Sequence, residues 1–122
     1  MPSYRLISTM KSAQINKYGS SEVIKIIENT PEPTISPGKV LVTIKAAGVN
    51  PADWKIREGG MQQLIPLQFP STLGMDFSGV IKQVGDGVSP DFKQGDEVYG
   101  QAGVISGGSG AFAEMALASV KI

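Results

Sequence analysis

Residues 39–60 have the sequence KVLVTIKAAGVNPADWKIREGG, which changes from an extended pattern to a helical one near its middle. Residues 39–49 carry an apolar side chain at every second position. The positions expected on the buried face are Val40, Val42, Ile44 and Ala46. Because successive side chains of a strand point to opposite faces, this pattern predicts a strand with one face in the core.

The period changes at Asn50, a residue type that is favoured at the N-cap of a helix. Pro51 follows at the first helical position, and Asp53 lies near the positive end of the helix dipole. Gly59 comes where the last turn would end. The stretch therefore predicts a short helix between Asn50 and Gly59, directly after the strand.

Outside this unit, 15 Gly and 8 Pro are spread along the 122 residues and separate short apolar segments. The further segments expected as strands are 23–28, 75–84 and about 111–117, and 93–100 is expected to be a tight turn that enters a short strand. Within 75–84, Phe77, Gly79 and Ile81 are expected on one face and Ser78, Val80 and Lys82 on the other. The glycines at 107–110 do not have the spacing of a dinucleotide-binding loop and lead into an expected strand, so we interpret them as a turn. The length and this pattern predict one mainly β domain.

Composition excludes several functions. The chain has 11 Lys and Arg, 11 Asp and Glu, and only 7% aromatic residues, which gives little support to a nucleic-acid-binding barrel. It has no His and no Cys, which removes the usual zinc ligands and every nucleophile that depends on them. No apolar stretch is long enough for a membrane span or a signal peptide. We therefore expect that the chain binds no nucleic acid, no membrane and no metal, and that its location is cytoplasmic.

Five motifs occur in series over nearly the whole chain: PGKVLV (37–42), AGVNPAD (47–53), LGMDFSGV (73–80), KQGDEVYG (93–100) and GAFAE (110–114). In this order they resemble the N-terminal domain of the medium-chain dehydrogenase/reductase family. The resemblance implies that residues 1–122 form a GroES-like, partly open β-barrel with one or two short helices. Family members continue into a Rossmann domain and then return to complete the catalytic domain, and neither segment has a counterpart in these 122 residues.

Two departures from the family pattern concern zinc. Zinc-dependent alcohol dehydrogenases of the family carry a Cys where this sequence has Asn50 and a His where it has Met75. The remaining pattern resembles the zinc-free quinone oxidoreductase and enoyl reductase branch. That resemblance implies NADPH as cofactor and a quinone or an α,β-unsaturated carbonyl compound, an enone or enal, as substrate. The choice between NADPH and NADH, and the choice of acceptor, stay open.

By resemblance, Asn50 and Lys55 are the candidate catalytic residues, and Asn50, Lys55 and Asp76 the candidate cofactor-binding residues. Each also has a plain structural interpretation: an N-cap for Asn50, a solvated lysine for Lys55, and an ion-pair partner for Asp76. The expectations for the neighbouring residues are core filling by Met75, packing by Trp54, and a core or rim position for Tyr99.

The resemblance also implies that the isolated chain neither binds NADPH tightly nor turns over substrate. The surface left open by the other domain would favour a homodimer. The alternative function is a non-catalytic interaction module, because the barrel also resembles chaperonin-10. In that interpretation residues 61–69 imitate a loop that packs on a partner.

Overall fold

A computed structural model describes residues 8–120, so the expectations for residues 1–7 and 121–122 lie outside it. The strands are β1 (Thr9–Ile15), β2 (Lys25–Pro31), β3 (Lys39–Ala47), β4 (Ser71–Thr72), β5 (Asp76–Val84), β6 (Glu97–Gln101) and β7 (Met115–Ser119). One α-helix, α1 (Pro51–Glu58), and two 3-10 turns, Ser21–Val23 and Val104–Ser106, complete this part of the chain. Within it, no helix has the length and hydropathy needed to span a bilayer. The mainly β prediction is confirmed.

The strands form two antiparallel sheets, with the orders β6-β5-β3-β7 and β2-β1-β4. Glu114 joins them, since its backbone N donates to Lys11 O of β1 at 3.1 Å and its O accepts from Ile44 N of β3 at 2.9 Å. The edge strands β6 and β7 both line one cavity of about 400 Å³, whose wall includes Val40 and Phe77 from the core. Residues 8–120 therefore form the expected partly open barrel.

The main core lies on the larger sheet. Its buried members are Val40, Val42, Phe77, Ile81, Ala102, Ala111, Ala116 and Ala118. A smaller cluster of Ile15, Val23 and Leu73 lies under the second sheet. In β5 the predicted alternation is confirmed, because Phe77, Gly79 and Ile81 are buried while Ser78 and Lys82 are exposed.

The prediction for β3 is right for its first half and wrong for its end. Val40 and Val42 are buried as expected, Leu41 is buried as well, and Ala46 is exposed. The reason is the pairing: β7 accompanies β3 only from Lys39 to Thr43. A register shift against β5 between Ile44 and Ala46 then breaks the alternation.

Three further differences have local causes. Strand β1 was not predicted, because one of its inward side chains is the polar Ser12, whose Oγ bonds Thr30 Oγ1 at 2.6 Å. Strand β2 begins later than expected, since Val23 ends a 3-10 turn. Strand β7 begins at Met115, because the preceding residues bond to loops and to β1, as Glu114 N does to Lys11 O at 3.1 Å.

Helix α1 has the predicted limits. Asn50 is its N-cap, Pro51 its first residue, and Gly59 its C-cap, with a left-handed φ of 91° that suits glycine. Asp53 and Ile56 are its buried residues. The helix therefore places Asn50 at the point where β3 leaves the larger sheet.

Candidate functional site

Asn50 and Asp76 come together because the end of β3 pairs with the start of β5. Ala47 lies opposite Phe77, and Gly48 N donates to Asp76 O at 3.0 Å. Across this junction Asn50 Nδ2 donates to Asp76 Oδ2 at 2.8 Å. Both residues are only partly buried, so the pair lies at the protein surface.

Asn50 is held by its backbone as well as by its side chain. Its backbone N donates to Asp53 Oδ2 at 2.7 Å. An ionised carboxylate only accepts hydrogen bonds, so Asp76 fixes the side-chain amide with Nδ2 facing it. This leaves the second N–H of the Asn50 amide for other partners, while Oδ1 faces the backbone N–H of Asp53 in the capping box. The N-cap position and an oriented side-chain amide coexist in one residue.

Asp76 does not form the ion pair considered from the sequence. Within residues 8–120 the two salt bridges are Arg57 with Glu58 and Lys82 with Glu32. The side chain of Asp76 instead accepts from the neutral amide of Asn50. Its carboxylate therefore lies beside that amide, and no lysine or arginine of residues 8–120 forms a salt bridge with it.

Lys55 is exposed on α1 and has no hydrogen bond to Asn50 or Asp76 in the described part of the chain. Its Nζ lies 5.7 Å from the centroid of the Trp54 ring, within the range of a cation–π contact. Trp54, which was expected to pack, is 48% exposed and lies outside the core. Of the three sequence-predicted site residues, the structure joins Asn50 with Asp76 and leaves Lys55 free beside an aromatic ring.

Met75 and Tyr99 differ in burial. Met75 is half-buried and lies over Gly103, where an added Cβ would approach Met75 Cγ to 2.9 Å. Tyr99 is 88% exposed on β6, which places it at the rim and excludes the core. Among residues 8–120, no group of three His, Cys, Asp or Glu side chains could hold a metal ion.

Asp53 is the residue whose importance the sequence did not reveal. It was expected only as a charge near the helix N-terminus, yet it is 7% exposed and holds Asn50 through Oδ2. Its Oδ1 is buried without a hydrogen-bond partner in residues 8–120. The Asn-x-x-Asp spacing of a capping box was the signal that predicts this contact.

Comparisons with known proteins agree with the geometry. The model of the "Alcohol dehydrogenase GroES-like domain" family matches residues 36–122. The quinone oxidoreductase of Sus scrofa is 38% identical over 110 residues, which cover 90% of this chain and 31% of that relative. An alcohol dehydrogenase superfamily protein from Novosphingobium aromaticivorans has a structure with a TM-score of 0.73 and 37% identity, covering 91% of this chain and 32% of its own.

A further solved structure is that of Escherichia coli quinone oxidoreductase complexed with NADPH. Its TM-score is 0.73 and its identity 30%, with 89% of this chain and 31% of that chain covered. The present chain thus spans about a third of the length of the relatives that it matches.

Proposed function

Because the chain belongs to the alcohol dehydrogenase GroES-like domain family, we propose that it is the substrate-side domain of a zinc-independent oxidoreductase. In its complete form this enzyme would reduce a quinone, or an α,β-unsaturated carbonyl compound, with NADPH. The quinone oxidoreductases among its relatives support the reaction class. The Escherichia coli relative that was solved with NADPH supports the cofactor.

The observation that carries the proposal is the hydrogen bond from Asn50 Nδ2 to Asp76 Oδ2. This bond presents a neutral, oriented amide at the surface. By resemblance, zinc-dependent members of the family have a cysteine thiolate at the position of Asn50. Amide nitrogen and methionine sulfur are poor substitutes for thiolate and imidazole as zinc ligands. A reaction that needs hydrogen bonds and no Lewis acid suits these residues better.

The free groups of this site also fit a polar, anionic cofactor. Asn50 keeps one amide N–H, and the Lys55 ammonium has three donors with no hydrogen bond in the described chain. Asn50, Lys55 and Asp76 are therefore the residues proposed to hold NADPH, with Lys55 at a phosphate or ribose oxygen and Asp76 acting through Asn50. When bound, NADPH supplies the hydride that the substrate accepts.

The residues of this chain would act on the oxygen of the substrate. As a quinone or enone is reduced, its carbonyl oxygen gains negative charge, and a preoriented donor stabilises that charge. The free N–H of Asn50 is one such donor, and a further N–H of the Lys55 ammonium, which has three, is the second. Asp76 keeps the Asn50 amide from rotating, so that no reorientation is needed during the reaction.

The test of this proposal is the rate of NADPH oxidation with a 1,4-benzoquinone by the complete protein. Asn50→Ala should lower kcat/KM by about a hundredfold, the usual loss on removing one donor to a developing oxyanion. Lys55→Ala should lower it by about tenfold, since its longer side chain is less well oriented. The matched control is Lys93→Ala, an exposed lysine outside the site. Equal activity of Asn50→Ala and the unchanged enzyme contradicts the proposal.

The 122-residue chain by itself is proposed to be inactive, because it supplies one wall of the site. Its own NADPH oxidation should not exceed the rate without protein, and calorimetry should detect no tight NADPH binding.

Cell fractionation would check the proposed cytoplasmic location. Light scattering would check a homodimer formed through the uncovered surface.

The second candidate function is a non-catalytic GroES-like interaction module. The observation that favours it is Leu64, which is 83% exposed in the segment 61–69. The end of that segment is anchored, since Phe69 packs edge-on against Tyr18 with ring centroids 5.1 Å apart. An exposed apolar tip on an anchored loop suits a contact with another protein. If Leu64→Ser abolishes binding to a partner protein and leaves NADPH oxidation unchanged, this function is favoured over the first.

A further inference from the structure

Strand β6 is an edge of the larger sheet, and part of its backbone has no strand to bond. Its register against β5 is regular, and just past its end Ala102 N donates to Met75 O at 2.7 Å. In an antiparallel pair, residues that bond the neighbouring strand alternate with residues that point away from it. The backbone N–H and C=O groups of Glu97, Tyr99 and Gln101 therefore point outward from the sheet.

The other three sheet edges within residues 8–120 are protected. Strand β4 has only two residues, and β2 contains Lys25 and Pro31 and pairs with β1 through a register shift. In β7 the outward N–H and C=O of Leu117 bond to Ser109 Oγ and N, at 2.8 and 3.2 Å. These are the usual means of keeping an edge from adding a strand. Strand β6 has no Lys, no Pro and no register shift, so it remains available to another strand.

Apolar surface lies on both faces of this edge. On the core side, Val98 and Gly100 line the cavity of about 400 Å³ together with Phe77 and Phe92. On the outer side, Tyr99 is 88% exposed. A strand added at β6 would therefore cover apolar surface as well as bond the free backbone groups, and burial of apolar surface is the main driving force of association.

We propose that a second copy of the chain occupies this edge, through its own β6 and antiparallel about a two-fold axis at Tyr99. Tyr99 is the middle residue of β6 and points outward, so two such strands can exchange up to about six backbone hydrogen bonds. In that register Glu97 lies opposite Gln101 of the second copy, and Val98 lies opposite Gly100. Because glycine has no side chain, the facing valine has room to extend over the cavity.

The outer face of the same register is self-complementary, as a two-fold interface requires. The two Tyr99 rings form an aromatic cross-strand pair. Glu97 meets a neutral amide and no like charge. Since Gln101 Oε1 accepts from Ser106 Oγ at 3.4 Å, its amide nitrogen faces no competing acceptor there and can donate to the carboxylate. These matches favour a second copy over an unrelated strand.

The interface specifies the surface of the homodimer proposed above, and in that respect it rests on the proposed function. It uses none of the residues assigned to NADPH or to the substrate, which are Asn50, Lys55 and Asp76. Association of the chain can therefore be measured without cofactor, substrate or turnover.

Sedimentation velocity of the 122-residue chain, from about 10 µM to about 1 mM, tests the interface. The paired area is small, so we expect a weak dimer with a Kd on the order of 100 µM. Tyr99→Lys and Tyr99→Glu each place like charges opposite one another at the axis, and each should weaken the dimer by at least about tenfold. An equimolar mixture of the two variants should restore it, because opposite charges then face each other.

The matched control is Ile26→Lys, which replaces a 64% exposed apolar residue on the protected edge strand β2. This variant should dimerise like the unchanged chain. A chain that stays monomeric at about 1 mM, a dimer that persists in both Tyr99 variants, or a mixture that stays monomeric would overturn the proposal.

Hydrogen exchange followed by NMR locates the contact in the unchanged chain and does not depend on how the variants fold. The backbone amides of Tyr99 and Gln101 should exchange several-fold more slowly at high than at low protein concentration. Slowing confined to residues 61–69 would place the contact at the segment of Leu64 and overturn the proposal. A failed reductase assay contradicts the proposed reaction without touching this interface, and the reverse also holds.

Discussion

The two ends of β3 have similar apolar composition and different surroundings. Its first half lies between β5 and β7, and Val40, Leu41 and Val42 are buried there. After Thr43 the pairing with β7 ends; Ile44 still packs against the core, and residues 45–49 are exposed. The first half stabilises the sheet, while the second carries the chain out to Asn50. An apolar residue in an extended segment therefore does not by itself indicate the core.

The largest expected effect comes from making one substitution in the first half of β3 and again two residues beyond its end. Val42→Ala removes two carbons from a side chain with 0% exposure, and should lower the free energy of unfolding by about 2.5 kcal/mol. Val49→Ala makes the same change at a side chain that is 83% exposed, and should stay within about 0.5 kcal/mol. Urea denaturation measures both. Equal losses would remove the distinction between the two halves.

Gly79 marks the boundary between the halves, because it pairs with Ile44. A Cβ at Gly79 would lie 2.2 Å from Thr43 O, so Gly79→Ala should cost about 2 kcal/mol through forced displacement of β3. In the same sheet, a Cβ at Gly100 meets only the Phe77 ring at 3.7 Å, and Gly100→Ala should cost little. Thermal unfolding of the two variants distinguishes close packing from a general cost of replacing glycine.

A substitution at Asn50 tests the hydrogen bonds just beyond the exposed end of β3. Asn50→Ala removes the bond to Asp76 and a favoured N-cap residue, and should lower the unfolding free energy by about 1 kcal/mol. Lys55→Ala, on the same helix, should change it by less than about 0.5 kcal/mol. Chemical denaturation followed by circular dichroism measures the difference. A larger loss in Lys55→Ala would mean that Lys55 has a structural role.

The smallest effect is expected at the ion pair of Lys82 with Glu32, whose atoms are 3.8 Å apart at the surface. Lys82→Ala should cost at most about 0.5 kcal/mol, and the cost should shrink as salt is added. Unfolding measured at low and high ionic strength checks this. A loss of more than about 1 kcal/mol, insensitive to salt, would show that Lys82 packs as well as pairs.

The sequence predicted helix α1 and the buried face of β5, where capping residues and alternation act locally. It did not predict β1, since Ser12 is buried against Thr30 and only their hydrogen bond makes that position acceptable. It also could not place Ala46, because exposure there depends on where β7 stops. Local signals were enough where neighbours in the chain decide the structure, and failed where a distant strand does.

The same holds for the candidate site. Asn50 and Asp76 were both named from the sequence, yet their contact depends on the register of β3 and β5. Asp53 of α1 lies beside Gly74 and Gly103, which are distant in the sequence, so its surroundings depend on the fold. The sequence could name the site residues. Only the fold shows which carboxylate oxygen accepts a hydrogen bond and which has no partner.

The most direct test of the central claim is to determine the coding sequence beyond the codon for Ile122. If this chain is the substrate-side domain of a reductase, a strand, a glycine-rich turn with the spacing of a dinucleotide-binding loop, and a helix should follow in that order. A stop codon immediately after Ile122 would contradict the claim, and the interaction module would then become the better account.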